Sequence, residues 1–261
     1  ANNWSLFGPR EVLSLSCSSG TAAICRAVEM LERGQASAVL VGGYDAISPF
    51  AWSGLSALRT MTRGTIQPFD KNRSGTIFSE GAGCLLLEPL AQAQQRGKSV
   101  YAEVAGGATN NNAFHMTAPS KGGAGSAAVM QAALDDADMA PSDIDHVNTH
   151  GTGTRPNDAT ETAALKSVFG NHAYEMPITS IKSMTGHMMG AAGLAEAIAS
   201  VASLRSGAIP PTINYSEPDP ECDLDVVIHE PRNFEGETVL SNSAGIGGCN
   251  AAVVIRKGSN E

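Results

Sequence analysis

The sequence has no CxxC pair: its five cysteines, Cys17, Cys25, Cys84, Cys222 and Cys249, are scattered along 261 residues. That odd, dispersed set argues against both a disulfide framework and a zinc ribbon, and reduced thiols are expected. There is no Lys/Arg-rich run either. With 17 basic residues against 26 acidic ones the net charge is −9, so nucleic acid is not an expected partner. Long apolar runs are also missing; "AGCLLLEPL" and "AEAIASVASL" are too short to span a bilayer. The first residues have neither the basic nor the apolar region of a signal peptide, so a cytoplasmic location without membrane contact is expected. No internal repeat or low-complexity linker appears. What remains is a chain with 42% hydrophobic residues, whose 28 glycines fall mainly in turns, and which is long enough to bury a substantial core.

Apolar periodicity gives an alternation of elements. Strands are predicted over "REVLSLS", "ASAVLVGG", "GAGCLLLE", "VYAEVAGGA", "DIDHVNTH", "PITSIK", "TVLSNSAG" and "NAAVVIRK". Helices are predicted after Cys17, over "GAGSAAVMQAALDDADM", over "NDATETAALKSVFG" with Asn157 or Asp158 as cap, and over "GAAGLAEAIASVASLRSG". Such alternation reads as an α/β fold with a mostly parallel sheet covered on both faces.

Cys17 stands where the first apolar run turns into a helical pattern, followed by the capping residues Ser18, Ser19 and Thr21. A thiol at a helix N-terminus meets unpaired N–H groups and the positive end of the helix dipole, which favour thiolate. Free cysteine is equally a common buried residue, the reading expected for Cys25, Cys84, Cys222 and Cys249. Three glycine-rich turns, "NTHGTGTRPND", "KSMTGHMMGAAG" and "SNSAGIGGCNAA", each follow a strand, and in open α/β sheets that edge binds ligands. His150 and His187 lie in the first two. His146 and His150 have an H-x3-H spacing, but on a strand four residues span about 13 Å, so the two cannot share a metal. "GTGT" and "GIGG" match neither a P-loop nor a dinucleotide fingerprint. They suit backbone N–H groups approaching a carbonyl oxygen, as in an oxyanion hole. A cysteine, two histidines, a lysine and such a turn fit acyl transfer through a thioester.

The stretches "SLSCSSG", "PFDKNRSGTIFSEGAG", "NAFHMTAPS", "NTHGTGTRPND", "KSMTGHMMGAAG" and "SNSAGIGGCNAA" resemble the elongating, type II β-ketoacyl-acyl carrier protein synthases, condensing enzymes of fatty acid or polyketide synthesis with a thiolase-like fold. The most specific part is the ordered set Cys17, His150, Lys182 and His187. The resemblance implies Cys17 as acyl-accepting nucleophile, and His150 and His187 as the pair that binds the malonyl thioester. It implies an oxyanion hole from the N–H groups of Cys17 and Ile246, a Lys182–Glu196 ion pair, and a supporting network of Asp158 and Glu161. By residue type alone these last four are solvated helix charges. His115, Thr152 and Thr154 are expected in substrate-contacting loops.

The same resemblance implies a first half over residues 1–100 carrying the nucleophile and a second half over 101–261 carrying both histidines. It implies acyl carrier protein as partner, in acyl and malonyl forms, a homodimer or heterodimer, and no cofactor or metal. Two departures stand out. Ala244 and Ile246 replace aromatic residues of the family's gate, and roughly the first third of the family's length is absent, so the first sheet half is expected to be incomplete, with a second polypeptide as one source of the missing part. Arg59, Arg63 and Lys121 are candidates for a basic carrier-docking patch. A non-catalytic partner subunit of the chain-length-factor type is the main alternative, and a thiolase ranks below it, because Cys249 follows its glycines rather than preceding one in a C-x-G setting.

Overall fold

The computed structural model describes residues 6–258. Its elements in chain order are α1 (Ser19–Glu32), β1 (Val39–Asp45), α2 (Pro49–Ala57), β2 (Gly81–Leu87), α3 (Leu90–Gln95), β3 (Ala102–Asn111), α4 (Ala124–Asp136), β4 (His146–Asn148) and α5 (Arg155–Phe169). They continue with β5 (Ile178–Thr179), α6 (Lys182–Thr185), α7 (Ala192–Ser206), β6 (Ala208–Ile209), β7 (Arg232–Asn233), β8 (Thr238–Ala244) and β9 (Cys249–Lys257).

A five-stranded sheet of order β3-β9-β8-β4-β5 forms the centre. It is mixed: β8–β4 and β4–β5 are parallel, whereas β3–β9 and β9–β8 are antiparallel. The alternation of strands and helices predicts mostly parallel pairing, but the last strand returns directly from β8 through the "GIGG" turn, and so short a connection permits only an antiparallel neighbour. β8 and β9 are buried on both faces. Their side chains alternate between two cores. Leu240, Ala252 and Val254 pack with Val129, Met130 and Leu134 of α4 and Leu165 of α5, while Val239, Val253 and Ile255 pack with Ile24 of α1 and Leu194 and Ala197 of α7.

Helices α1 and α7 are covered again on their other side by the antiparallel ribbon β1–β2, where Leu194 lies against Gly43 and Gly83. A helix between two sheets needs small residues on several sides, which explains the Ala- and Ser-rich sequence of α7. The two helices cross closely: a Cβ on Gly20 would lie 2.5 Å from Leu194 N, and one on Gly193 would lie 2.1 Å from Thr21 Oγ1. Glycine at these points lets the helix carrying the Cys17 turn sit against α7.

Several local expectations change. "REVLSLS" forms no strand; only isolated bridging at Leu15 and Cys17 occurs there, and Val12 is 97% exposed. "PITSIK" contributes only Ile178 and Thr179 to the sheet. α5 begins earlier than predicted, with Thr154 as N-cap, and Asp158 turns its side chain back rather than capping the first turn. Cys222 is buried, but Cys84 is exposed and Cys25 and Cys249 are half-buried. Among the described residues no helix is long and apolar enough to cross a membrane.

Candidate active site

One cavity of about 660 Å³ is lined by Cys17, His150, Thr152, Thr154, His187 and Ile246, among others. Cys17 precedes α1, held in a turn in which Ser18 N donates to Leu15 O and Ser19 N donates to Ser16 O. Gly245 lies against this turn, where a Cβ would come within 3.2 Å of Cys17 N. That approach brings the Ile246 N–H to the Cys17 sulfur, where it favours thiolate. The thiol itself is buried, and burial raises its pKa above the ordinary value, opposed by the Lys182 charge, the Ile246 N–H and the Ser16 hydroxyl. The sequence suggests a thiol tuned by a helix dipole; the dominant influence on this side chain is instead desolvation.

His150 follows the end of β4, whereas His187 lies beyond both β5 and α6, where it bridges to Phe78. The two histidine rings meet edge to face, 5.3 Å between centroids at 84°. Lys182 Nζ lies 3.4 Å from His150 Nδ1 and donates to the His150 carbonyl at 2.6 Å. Lys has only donors, so His150 Nδ1 is the acceptor and Nε2 carries the proton. His187 Nδ1 accepts the Met189 N–H at 3.3 Å, which gives the same tautomer. Burial first, and the Lys182 charge second, lower both histidine pKa values well below 6.5. The cavity is therefore faced by two neutral imidazoles, each with an N–H to donate.

Behind them lies a buried polar layer. Glu161 accepts the N–H groups of His150 (2.7 Å) and Gly151 (2.8 Å) and the Asn242 amide (2.8 Å). Asp158 accepts from Gly153 N at 3.2 Å and Phe69 N at 2.8 Å, and burial raises it to about 6. Lys182 pairs with Glu196. These four side chains, which residue type alone places in solvent, are at most 3% exposed. Thr152 and Thr154 share a hydroxyl contact of 2.9 Å at the cavity wall. His115 is not among the lining residues; it is exposed, and its Nδ1 accepts the N–H groups of Thr117 and Ala118 at 3.1 Å each, shaping a loop that does reach the cavity.

Two contributors escape the sequence reading. Phe78 packs its ring 5.5 Å from that of His187, and Ser79 N donates to the His187 carbonyl at 2.9 Å. Asn242, fully buried in β8, orients Glu161. Its signal was available in the polar "SNS" at the end of a strand that is otherwise apolar. His146 faces away from the site, against Phe234 at 5.8 Å. Among the described residues no group of His, Cys, Asp or Glu is arranged to hold a metal ion.

Two family profiles match the sequence: the β-ketoacyl synthase N-terminal domain over residues 1–93 and the β-ketoacyl synthase C-terminal domain over residues 101–216. The chain is 41% identical over 256 residues to a 3-oxoacyl-[acyl-carrier-protein] synthase 2 of Staphylococcus aureus, covering 96% of this chain and 62% of that protein. It is 44% identical over 255 residues to nodulation protein E of Rhizobium meliloti, covering 97% of this chain and 63% of that one. The chain thus spans somewhat less than two thirds of the curated relatives it matches. Among solved structures, a ketosynthase complex with its type II polyketide acyl carrier protein superposes with a TM-score of 0.95 at 34% identity, over 98% of this chain and 65% of that one. A β-ketoacyl synthase from Burkholderia phymatum gives 0.93 at 35% identity, over 97% and 63%. The fold is the thiolase-like α/β arrangement of these enzymes.

Proposed function

Because the chain belongs to the β-ketoacyl synthase family, we propose that the protein containing it elongates an acyl chain by decarboxylative Claisen condensation with malonyl-acyl carrier protein. The observation that carries this reading is the meeting of Cys17, His150 and His187 on one cavity, with the Ile246 N–H at the Cys17 sulfur. In the first half-reaction the Cys17 sulfur attacks the thioester carbonyl of an acyl-carrier protein. The tetrahedral oxygen receives the N–H groups of Cys17 and Ile246, and the carrier thiol leaves with a proton. In the second, malonyl-carrier protein loses CO₂, and the electron pair of the broken C–C bond becomes an enolate. Its oxygen is held by the two Nε2–H groups, a preorganised pair in a site that burial keeps uncharged. The enolate carbon then attacks the acyl-Cys17 carbonyl; a C–C bond forms, the C–S bond to Cys17 breaks, and the thiolate is regenerated.

Lys182 and Glu196 serve this scheme as a buried pair that fixes His150, and Asp158 and Glu161 hold the turn on which it sits. Residues 1–100 act as the nucleophile-bearing half and residues 101–261 as the half bearing the histidines. The partner is an acyl carrier protein, as in the ketosynthase complex that the chain resembles. Arg59 at the cavity, with the exposed Arg63 and Lys121, supplies basic groups for docking it. The assembly is a dimer of like or related chains in the cytoplasm. A non-catalytic partner subunit would need no nucleophile, and the joint presence of Cys17, His150 and His187 disfavours that role.

The test is to incubate the full-length protein with an acyl-carrier protein or acyl-CoA donor and map the label by peptide mass spectrometry. A thioester on Cys17 is the expected result. Label on Cys25 instead, or none, would overturn the assignment.

A further inference from the structure

Arg73, between α2 and β2, is the largest of the fully buried side chains, only 1% exposed. A buried guanidinium is costly unless its donors are met, and here they are met from separate stretches of chain. It donates to the Asp70 carbonyl at 2.9 Å and the Arg155 carbonyl at 3.3 Å, and it pairs with Asp219. Of its three nitrogens only Nε has no hydrogen-bond partner, and it lies 3.8 Å from Asp158 Oδ2. That carboxylate accepts Phe69 N on one oxygen, and Gly153 N and the Asn157 amide on the other.

We propose that Arg73 is a positioning residue for the turn from His150 to Thr154, acting through Asp158. What the turn is used for rests on the function proposed above; that Arg73 holds it does not. Three N–H donors converge on Asp158 and occupy three of the carboxylate's about four acceptor sites. The remaining site is on Oδ2, the oxygen 3.8 Å from Arg73 Nε, so a proton taken up there would be placed beside the guanidinium. Burial works toward that outcome, raising Asp158 to about 6, and Glu161 on the same helix pushes it in the same direction. Arg73 is the cation that opposes them. The other ionisable groups facing the guanidinium are Asp219, which it pairs with, and Cys222, a thiol raised by burial to about 12 and therefore neutral. The arrangement gives Arg73 two tasks, locking the 66–79 loop to the start of α5 and keeping one carboxylate charged.

The experiment is hydrogen exchange on the full-length protein, following the amides of residues 149–158 between pH 5.5 and 8. Arg73→Gln is expected to lower their protection about tenfold near neutrality and to move the acid loss of protection up by about one pH unit, the scale on which an adjacent arginine shifts a carboxylate. Arg73→Lys keeps the charge but not the fork and is expected to lose less. In an Asp158→Asn background Arg73→Gln should no longer move the acid loss of protection, and its remaining effect should be smaller and confined to the Arg155 end of the turn, where the guanidinium donates directly. Wild-type protection in Arg73→Gln, or a loss undiminished in the Asp158→Asn background, would overturn the proposal. Should Arg73→Gln not fold, Arg73→Lys carries the test, and wild-type protection there has the same consequence. Malonyl-carrier decarboxylation measured alongside separates the two readings: a wild-type protein that protects the turn yet never decarboxylates defeats the proposed function and leaves the role of Arg73 standing.

Discussion

Within this chain, residues 6–100 are less buried than residues 101–258. In the first stretch the ribbon β1–β2 turns Leu40, Tyr44 and Leu86 outward, and α2 has no buried residue. In the second, six of the seven residues of β8 and the whole of β4 are buried. Cys17 belongs by sequence to the loosely covered stretch and by packing to the dense one. Its helix α1 rests on α7 and on the sheet face of Val253 and Ile255. The turn that carries Cys17 is therefore held by a region far away in sequence, and the region where a residue is encoded does not decide how well it is fixed.

The largest effect that would sharpen this contrast is acid sensitivity confined to the dense region. His146 is wholly buried, both ring nitrogens lack partners, and burial lowers its pKa from 6.5 to about 3, with Arg232 adding to the effect. The folded state therefore refuses a proton that the unfolded chain accepts below 6.5. The stability from this group is present above pH 6.5 and is lost as pH falls toward 3, by about 5 kcal/mol in full. His150 and His187 act in the same direction, whereas the raised carboxylates Asp158, Glu161 and Glu196 act against it. Denaturant midpoints measured from pH 7 to pH 4 should fall in the wild type, and His146→Leu should flatten that fall. An equal slope in the variant would place the acid sensitivity elsewhere.

Next in size is the histidine pair. Replacing His150 or His187 by Ala should slow malonyl-carrier decarboxylation on the order of a hundredfold, or about 3 kcal/mol, the cost of one preorganised donor to a developing oxyanion. Acylation of Cys17 should suffer less, because its oxyanion donors are backbone N–H groups of other elements. Stopped assays of each half-reaction would show whether the two steps separate in this way; equal losses in both would mean that the histidines also position the thiol turn.

A smaller effect tests whether α1 truly depends on α7. Gly20→Ala forces a Cβ to within 2.5 Å of a backbone nitrogen of α7, and overpacking of this kind costs about 2 kcal/mol. Gly42→Ala in the ribbon meets nothing within 4 Å and should change stability by less than about 0.5 kcal/mol. Unfolding curves of the pair would break the comparison if the ribbon substitution proved the costlier. Cys17 alkylation should follow the same order, faster in Gly20→Ala and unchanged in Gly42→Ala.

Helices α1, α4, α5 and α7 were legible because apolar spacing near 3.6 is a local property. The strand expected over "REVLSLS" was not, because its alternating apolar residues are real but a strand also needs a neighbour, and the described residues provide only isolated bridging there. The β8–β9 direction follows locally from the short "GIGG" connection, but the antiparallel pairing of β3 with β9 is non-local and cannot be read from the alternation of elements. In the site, Cys17 and the two histidines could be singled out by residue type and turn context. The buried Lys182, Glu196, Asp158 and Glu161 could not, since a helix charge looks solvated until its donors are known. Those donors lie as far off as Phe69, 89 positions from Asp158.

The smallest expected effect concerns Ile246, where the two regions touch. Ile246 lines the cavity and is 37% exposed, and its N–H serves the Cys17 sulfur whatever the side chain. The flanking glycines have different jobs. Gly247 has φ +91 with nothing near its missing Cβ, so it provides freedom, whereas Gly245 provides close approach to the Cys17 turn. The loop is also tied to the other wall of the cavity, with Gly247 N donating to Met116 O at 2.8 Å and the Asn111 amide donating to Gly247 O at 2.9 Å. An aromatic ring at 246 would keep the same backbone N–H and, being larger than the isoleucine side chain on the cavity wall, would narrow the mouth. Ile246→Phe in the full-length protein should therefore leave acylation of Cys17 by short donors within about twofold of the wild type, well under 1 kcal/mol. It should disfavour longer donors more strongly. Competition among acyl donors of graded length would read this directly. A profile identical to the wild type would show that acyl length is set away from the boundary between the two regions, and that the Ile246 side chain, unlike its backbone, takes no part in selection.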